Sequence, residues 1–93
     1  MDVYLSKSEM AAFISEIQMA NRLPIITVYT NVPDHQDPFV ARVFAVGGTP
    51  SLQPTHAMLK GDTLKAVRDL LPEGMALLPR DANDNPTVVE SWI

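Results

Sequence analysis

Apolar residues recur at helical spacing in the segment SKSEMAAFISEIQMANRLP, residues 6–24. This segment predicts a helix, because residues at i, i+3, i+4 and i+7 share one helical face. The apolar residues at this spacing are Met10, Phe13, Ile14 and Ile17. Ser6 with Glu9 three residues later has the pattern of a capping box, Ser8 is an alternative N-cap, and Pro24 lies beyond the helix end.

A second helix is predicted in DTLKAVRDLL, with Asp62 as N-cap and Pro72 after its end. Short runs rich in β-branched and aromatic residues predict strands in DVYL, IITVYT, FVARVFAV, MALLP and TVVESWI. The loops NVPDHQDP and RDANDNP are expected to connect two hairpins. THAML, residues 55–59, is either a further short strand or a loop.

The two halves of the chain share the order strand, helix, strand, strand. When residue 23 is aligned with residue 71, a Leu-Pro pair meets a Leu-Pro pair, Pro38 meets Pro86, and Phe44 meets Trp92. This correspondence suggests an internal duplication with units 1–46 and 55–93 and a linker at 47–54, although two hydrophobic patterns of similar order can also match by chance.

The chain is therefore predicted to be one α+β domain spanning residues 1–93. If residues 55–59 form a strand, we expect two βαββ units around a pseudo-twofold axis, forming a mainly antiparallel sheet with both helices on one side. If those residues form a loop, the order is ferredoxin-like βαββαβ with an extra C-terminal strand.

Composition narrows the classes of function. Seven Lys and Arg residues against eleven Asp and Glu give a net charge of -4, which argues against binding to a phosphate backbone. The absence of cysteine excludes disulfides and thiolate chemistry and fits a reducing compartment. No signal-peptide pattern or long apolar run is present, so we expect a cytoplasmic protein without membrane or nucleic-acid partners.

Two loops carry residues that could ligate a metal. Asp81, Asn83 and Asn85 alternate as in the first half of a calcium loop, but Pro86 and Trp92 stand where an EF-hand has Gly and Glu. A turn stabilised by Asp and Asn side chains is the favoured interpretation. The second set comprises Asp34, His35 and Asp37. With His56 as the other histidine, a closed zinc site is not expected, and a solvated loop is favoured.

The strand FVARVFAV has apolar residues on both faces, which predicts that the face away from the helices is partly covered. A partner or a second copy would cover it, or the long loops or the curvature of the sheet would do so within the monomer. Strict alternation predicts one shared interaction face bearing Val40, Arg42, Phe44, Val88, Glu90 and Trp92. The C-terminal strand is also a candidate for pairing at a sheet edge.

These patterns favour a small, acidic, non-catalytic binding module that works through a sheet face or edge and contacts a protein partner or itself as a homodimer. We expect no cofactor. The alternatives are a regulatory small-ligand-binding domain of the ferredoxin-like type and a metal-assisted enzyme using Asp34, His35 and Asp37.

Overall fold

The computed structural model describes residues 2–33, 35–48 and 51–93. In these ranges the chain forms six strands and two helices in the order βαββ followed by βαββ. The elements are β1 (Val3–Tyr4), α1 (Lys7–Met19), β2 (Leu23–Thr30), β3 (Phe39–Val46), β4 (Leu52–Gly61), α2 (Leu64–Asp69), β5 (Leu77–Pro79) and β6 (Val88–Trp92).

The strands form one mixed sheet in the order β1-β4-β3-β2-β6-β5. The pair β1 and β4 is parallel, and the other neighbours are antiparallel. The predicted α+β class is confirmed. The predicted pseudo-twofold arrangement is not seen. A twofold axis that keeps both helices on one side of the sheet would make β1 antiparallel to its counterpart β4, whereas the two strands are parallel. The structure also differs from the ferredoxin-like alternative, in which residues 55–59 are expected to form a loop. These residues belong to β4, which pairs with β3 and lies between β3 and β1.

Both helices pack on the same side of the sheet and share one core with it. The buried residues of this core are Met10, Ile14, Ile17, Ile26, Val28, Ala41, Val43, Ala45, Ala57, Leu59, Val67 and Leu71. The predicted apolar face of α1 supplies three of them, and Phe13 packs at the margin.

Local hydrogen bonds start each helix. The hydroxyl of Ser6 accepts the backbone N–H of Glu9 at 3.2 Å, and the Glu9 carboxylate accepts the backbone N–H of Ser6 at 2.9 Å, so the predicted capping box is confirmed. In α2 the N-cap is Thr63, whose hydroxyl accepts the N–H of Ala66. The prediction of Asp62 as the cap was therefore wrong by one residue.

The predicted linker at 47–54 is shorter in the structure, because β4 begins at Leu52 and includes residues 55–59. Gly47 has a φ of 98° and donates its N–H to the carbonyl of Ser51, which closes a hairpin between β3 and β4. Pro54 is tolerated within β4 because β1 pairs only with Ala57 and Met58, leaving this part of the strand at the sheet margin.

The side of the sheet opposite the helices is called here the helix-free face. Its central residues are Thr27, Tyr29, Val40, Arg42, Phe44 and Met58, as the strand register requires. Val40 and Met58 are each only 2 % exposed. Loop residues therefore cover part of this face within the monomer, as one of the sequence-based alternatives predicted.

Among the described residues, no helix has the length and apolar character needed to cross a bilayer.

Candidate functional site

Two loops meet at one end of the helix-free face. The β2–β3 loop comprises residues 31–38, and the β5–β6 loop comprises residues 80–87. They are neighbours because β2 pairs with β6, and the N–H of Thr30 donates to the carbonyl of Thr87 at 2.8 Å. The two loops that the sequence matched as hairpin connections thus lie side by side.

A cavity of about 430 Å³ lies between these loops and the sheet. Its apolar walls are formed by Val32, Pro33, Val40 and Met58. Polar residues line it from two strands and both loops, and these residues are Tyr29, His35, Arg42, Asn85 and Thr87. This volume lies within the usual range for small-molecule sites, which combine apolar walls with a few convergent polar groups.

Arg42 is the only permanently charged residue among the described residues that line the cavity. Its guanidinium donates to the carbonyl of Thr55 at 2.6 Å and to the carboxylate of Asp2 at 3.0 Å. It also contacts the sulfur of Met58 at 3.4 Å. The Arg42 side chain is 25 % exposed, so these bonds hold a partly desolvated cation at the cavity margin.

Tyr29 is a second cavity residue whose side chain can form hydrogen bonds. Burial raises the pKa of Tyr29; the positive charge of Arg42 opposes this shift, and the negative charge of Asp84 adds to it. Tyr29 therefore stays a neutral hydroxyl at physiological pH, able both to donate and to accept a hydrogen bond.

His35 is held at the cavity by a contact with β1. Its Nδ1 lies 3.1 Å from the hydroxyl of Tyr4, and its backbone N–H donates to the carbonyl of Val32. The ammonium of Lys60 lies 4.8 Å from the centre of the Tyr4 ring, a cation–π contact beside the same rim. These contacts connect the β2–β3 loop to the edge strand β1.

The structure divides the predicted interaction face. Val40, Arg42, Phe44 and Val88 lie on the helix-free face, Val88 because it pairs with Tyr29. Glu90 and Trp92 lie on the opposite side. They pair with Val28 and Ile26, which belong to the core beneath the helices.

A β-bulge causes this division. The register of β2 with β6 shifts between Val28 and Tyr29, so Val28 pairs with Glu90 whereas Tyr29 pairs with Val88. The extra residue, Val89, packs against the core. Strict alternation of side chains assumes a strand without a bulge. One inserted residue moves every later side chain of the strand to the opposite face of the sheet.

Glu90, predicted from the sequence to lie on an interaction surface, is a buried carboxylate. It is 4 % exposed and accepts hydrogen bonds from Arg68 of α2, with Nε to Oε2 at 2.9 Å, and from the indole N–H of Trp92 at 2.6 Å. The hydrogen bonds from Arg68 are the main cause that lowers the pKa of Glu90. The one sequence signal for this pair is a lone Glu among the apolar residues of the last strand.

The sheet edges also differ from the prediction. β6 is enclosed between β2 and β5, so it is not available for edge pairing. The edge on that side is β5, where Leu77 and Leu78 are 44 % and 41 % exposed.

The RDANDNP loop uses its side chains to stabilise turns. The carboxylate of Asp81 accepts the backbone N–H of Asn83 at 2.9 Å, and the side-chain amide oxygen of Asn85 accepts the backbone N–H of Thr87 at 3.0 Å. Asp84 in turn accepts the N–H of Asp81. The predicted hydrogen bonds to backbone groups two residues further on are therefore present.

The other candidate metal ligands, from the β2–β3 loop, have different environments. His35 lines the cavity, Asp37 is half-buried in the same loop, and Asp34 lies outside the described residues. Within the described ranges, no three His, Asp or Glu side chains are grouped closely enough to hold a metal ion.

Comparison of the chain with protein-family models, with curated proteins and with solved structures gives no significant match.

Proposed function

We propose that the protein is a non-catalytic binding module whose site is the cavity on the helix-free face. The observation that carries this proposal is the combination of apolar walls with Arg42, Tyr29 and Asn85 around a space of about 430 Å³. Apolar walls supply affinity through burial, and a few fixed polar groups supply orientation.

The surroundings support a preformed site. Two hairpin loops frame the space, and the backbone bond between Thr30 and Thr87 joins the strands from which they emerge. Asn85 is itself fixed by hydrogen bonds from Thr87. A ligand entering this space meets groups that already have their positions, which lowers the entropy lost on binding.

The test is an NMR screen with a panel of small aromatic and aliphatic acids, amides and alcohols. We expect compounds that bind to shift the signals of Tyr29, Val40 and Thr87 saturably. Val32→Trp should remove these shifts by filling the cavity, whereas Ala12→Trp, on an exposed position of α1, should retain them. The proposal fails if no compound shifts the cavity signals or if Val32→Trp leaves binding unchanged.

A second candidate is self-association through the edge strand β5. Leu77 and Leu78 expose apolar side chains on a strand whose outer backbone groups have no neighbouring strand in the sheet. Such an edge can pair with a second copy of itself. Light scattering at high micromolar concentration tests this candidate: a dimer that Leu78→Lys dissociates supports it, and a monomeric wild type excludes it.

A further inference from the structure

We infer that the ligand of the helix-free cavity is a small organic monocarboxylate, bound by Arg42 in place of the Asp2 side chain. This inference rests on the proposed function and specifies its ligand. It begins from the Arg42 guanidinium, which is the permanent positive charge of the described cavity lining and already holds a carboxylate at 3.0 Å.

Asp2 shows which chemical group fits Arg42. Its carboxylate comes from an exposed residue that precedes β1, and its side chain is 41 % exposed. The pair is exposed on the Asp2 side, where water screens the attraction and the Asp2 side chain loses freedom on pairing, so we expect the pair to contribute little. A carboxylate with an apolar body can replace Asp2 and gain the burial that Asp2 lacks.

The charge around the cavity favours one negative charge over several. The described lining supplies one guanidinium, and the chain carries a net charge of -4, with Asp84 close enough to act on Tyr29. A phosphate or dicarboxylate would bring a second negative charge without a second cation in this lining. A monocarboxylate matches the single positive charge.

The remaining groups indicate the body of the ligand. Val32 and Pro33 are the more exposed apolar residues of the cavity lining, whereas Val40 and Met58 are almost completely buried; Tyr29 and Asn85 lie on the same cavity. Apolar side chains with accessible surface favour an apolar ligand group, because contact removes both surfaces from water. The expected ligand therefore has one carboxylate and an aromatic or branched apolar part.

The experiment uses hydrocinnamate and its neutral amide as matched probes, followed by the NMR signals of Val40, Met58 and the Arg42 side chain. We expect hydrocinnamate to bind saturably and the amide to bind about tenfold more weakly, since a charge-assisted hydrogen bond is lost. Asp2→Asn should tighten hydrocinnamate binding about twofold to fivefold by removing the internal competitor. Arg42→Gln should abolish the preference for the acid, and the control Lys65→Gln should retain it.

Three results overturn the inference: equal affinity for acid and amide, unchanged hydrocinnamate affinity in Asp2→Asn, or an acid preference that survives in Arg42→Gln. If neutral compounds shift the cavity signals while the acid has no advantage, the binding site stands and the monocarboxylate assignment fails. If neither the acid, nor the amide, nor any compound of the wider panel shifts those signals, both proposals fail. If Arg42→Gln fails to fold, Asp2→Asn still tests the inference, because a substitution at the exposed Asp2 is expected to leave the fold intact.

Discussion

The guanidinium of Arg68 and the carboxylate of Glu90 form a two-point ion pair that joins α2 to β6. The pair is asymmetric, since the Arg68 side chain is 43 % exposed and that of Glu90 is 6 % exposed. Trp92 donates a further hydrogen bond to Glu90, and its ring centre lies 6.0 Å from the Arg68 guanidinium carbon. The short helix α2 is thereby fixed to a strand far from it in sequence.

Replacing Glu90 is expected to destabilise the fold. Both carboxylate oxygens of Glu90 accept hydrogen bonds, from Arg68 and Trp92. In Glu90→Gln one of these oxygens is replaced by an NH₂ group, which would point its N–H donors at an N–H donor of Arg68 or Trp92. The expected loss in the free energy of unfolding is about 1–3 kcal/mol, measured by urea denaturation. The matched control is Asp69→Asn, which breaks an exposed pair with Lys65 and should change stability by about 0.5 kcal/mol or less. Equal effects of the two substitutions would contradict the role assigned to Glu90.

The same pair predicts a dependence on pH. The pKa of Glu90 is lower in the folded protein, mainly because of its hydrogen bonds from Arg68. The stabilisation is therefore fully present above the ordinary pKa that Glu90 has in the unfolded chain, and it is lost as the pH falls through the lower pKa of the folded state. The difference in melting temperature between wild type and Glu90→Gln should be full at pH 7 and should shrink in acid. A difference that stays constant from neutral pH to pH 3 would exclude this account.

Sequence and structure agree where local chemistry decides. β3 coincides with FVARVFAV because Pro38 and Gly47 bound a run of β-branched and aromatic residues. The capping box at Ser6 and the turn bonds in residues 80–87 likewise involve groups only a few positions apart. Such interactions form before distant contacts are needed, so the sequence indicates them directly.

Contacts between residues far apart in the sequence could not be predicted from local patterns. The bulge at Val28 and Tyr29 depends on how β6 docks against β2, and without it Glu90 and Trp92 are assigned to the wrong face. The site itself requires two loops from different halves of the chain and Arg42 from a third segment. Periodicity describes one strand at a time and carries no information about its neighbours.

The capping box at the start of α1 gives a further prediction. Ser6→Ala removes the acceptor of the Glu9 N–H and should lower the free energy of unfolding by about 1 kcal/mol. Ser15→Ala, an exposed change in the middle of the same helix, should be neutral or slightly stabilising because Ala has the higher helix propensity. Chemical denaturation of both variants measures the contrast, and equal stabilities would contradict the cap.

Gly61 is expected to resist substitution. A Cβ at this position would lie 3.0 Å from the Cβ of Ala66 and 3.2 Å from the backbone nitrogen of Val67. Gly61→Ala should therefore push α2 away from β4 and cost about 1–3 kcal/mol in the free energy of unfolding. The neighbouring exposed change Lys60→Ala should cost about 1 kcal/mol at most, from its contact with the Tyr4 ring. A neutral Gly61→Ala would show that the helix sits further from the strand.

The loop at residues 80–87 is expected not to bind calcium. The side-chain carbonyl or carboxylate groups of Asp81 and Asn85 already accept backbone N–H groups, and Pro86 cannot adopt the left-handed conformation of an EF-hand glycine. Adding millimolar calcium should leave the amide signals of Asp81, Asn83 and Asn85 unchanged beyond the general effect of ionic strength. Selective, saturable shifts of these three signals would contradict the turn-only interpretation.

The most direct test of the central claim is a set of intermolecular NOEs between the protein and the tightest-binding compound of the NMR panel. Binding at the helix-free face predicts contacts from the compound to the methyl groups of Val32, Val40 and Met58 and to the ring of Tyr29. Contacts instead to the helix side, for example to Phe13 or Leu64, would show that the cavity between the two hairpin loops is not the binding site.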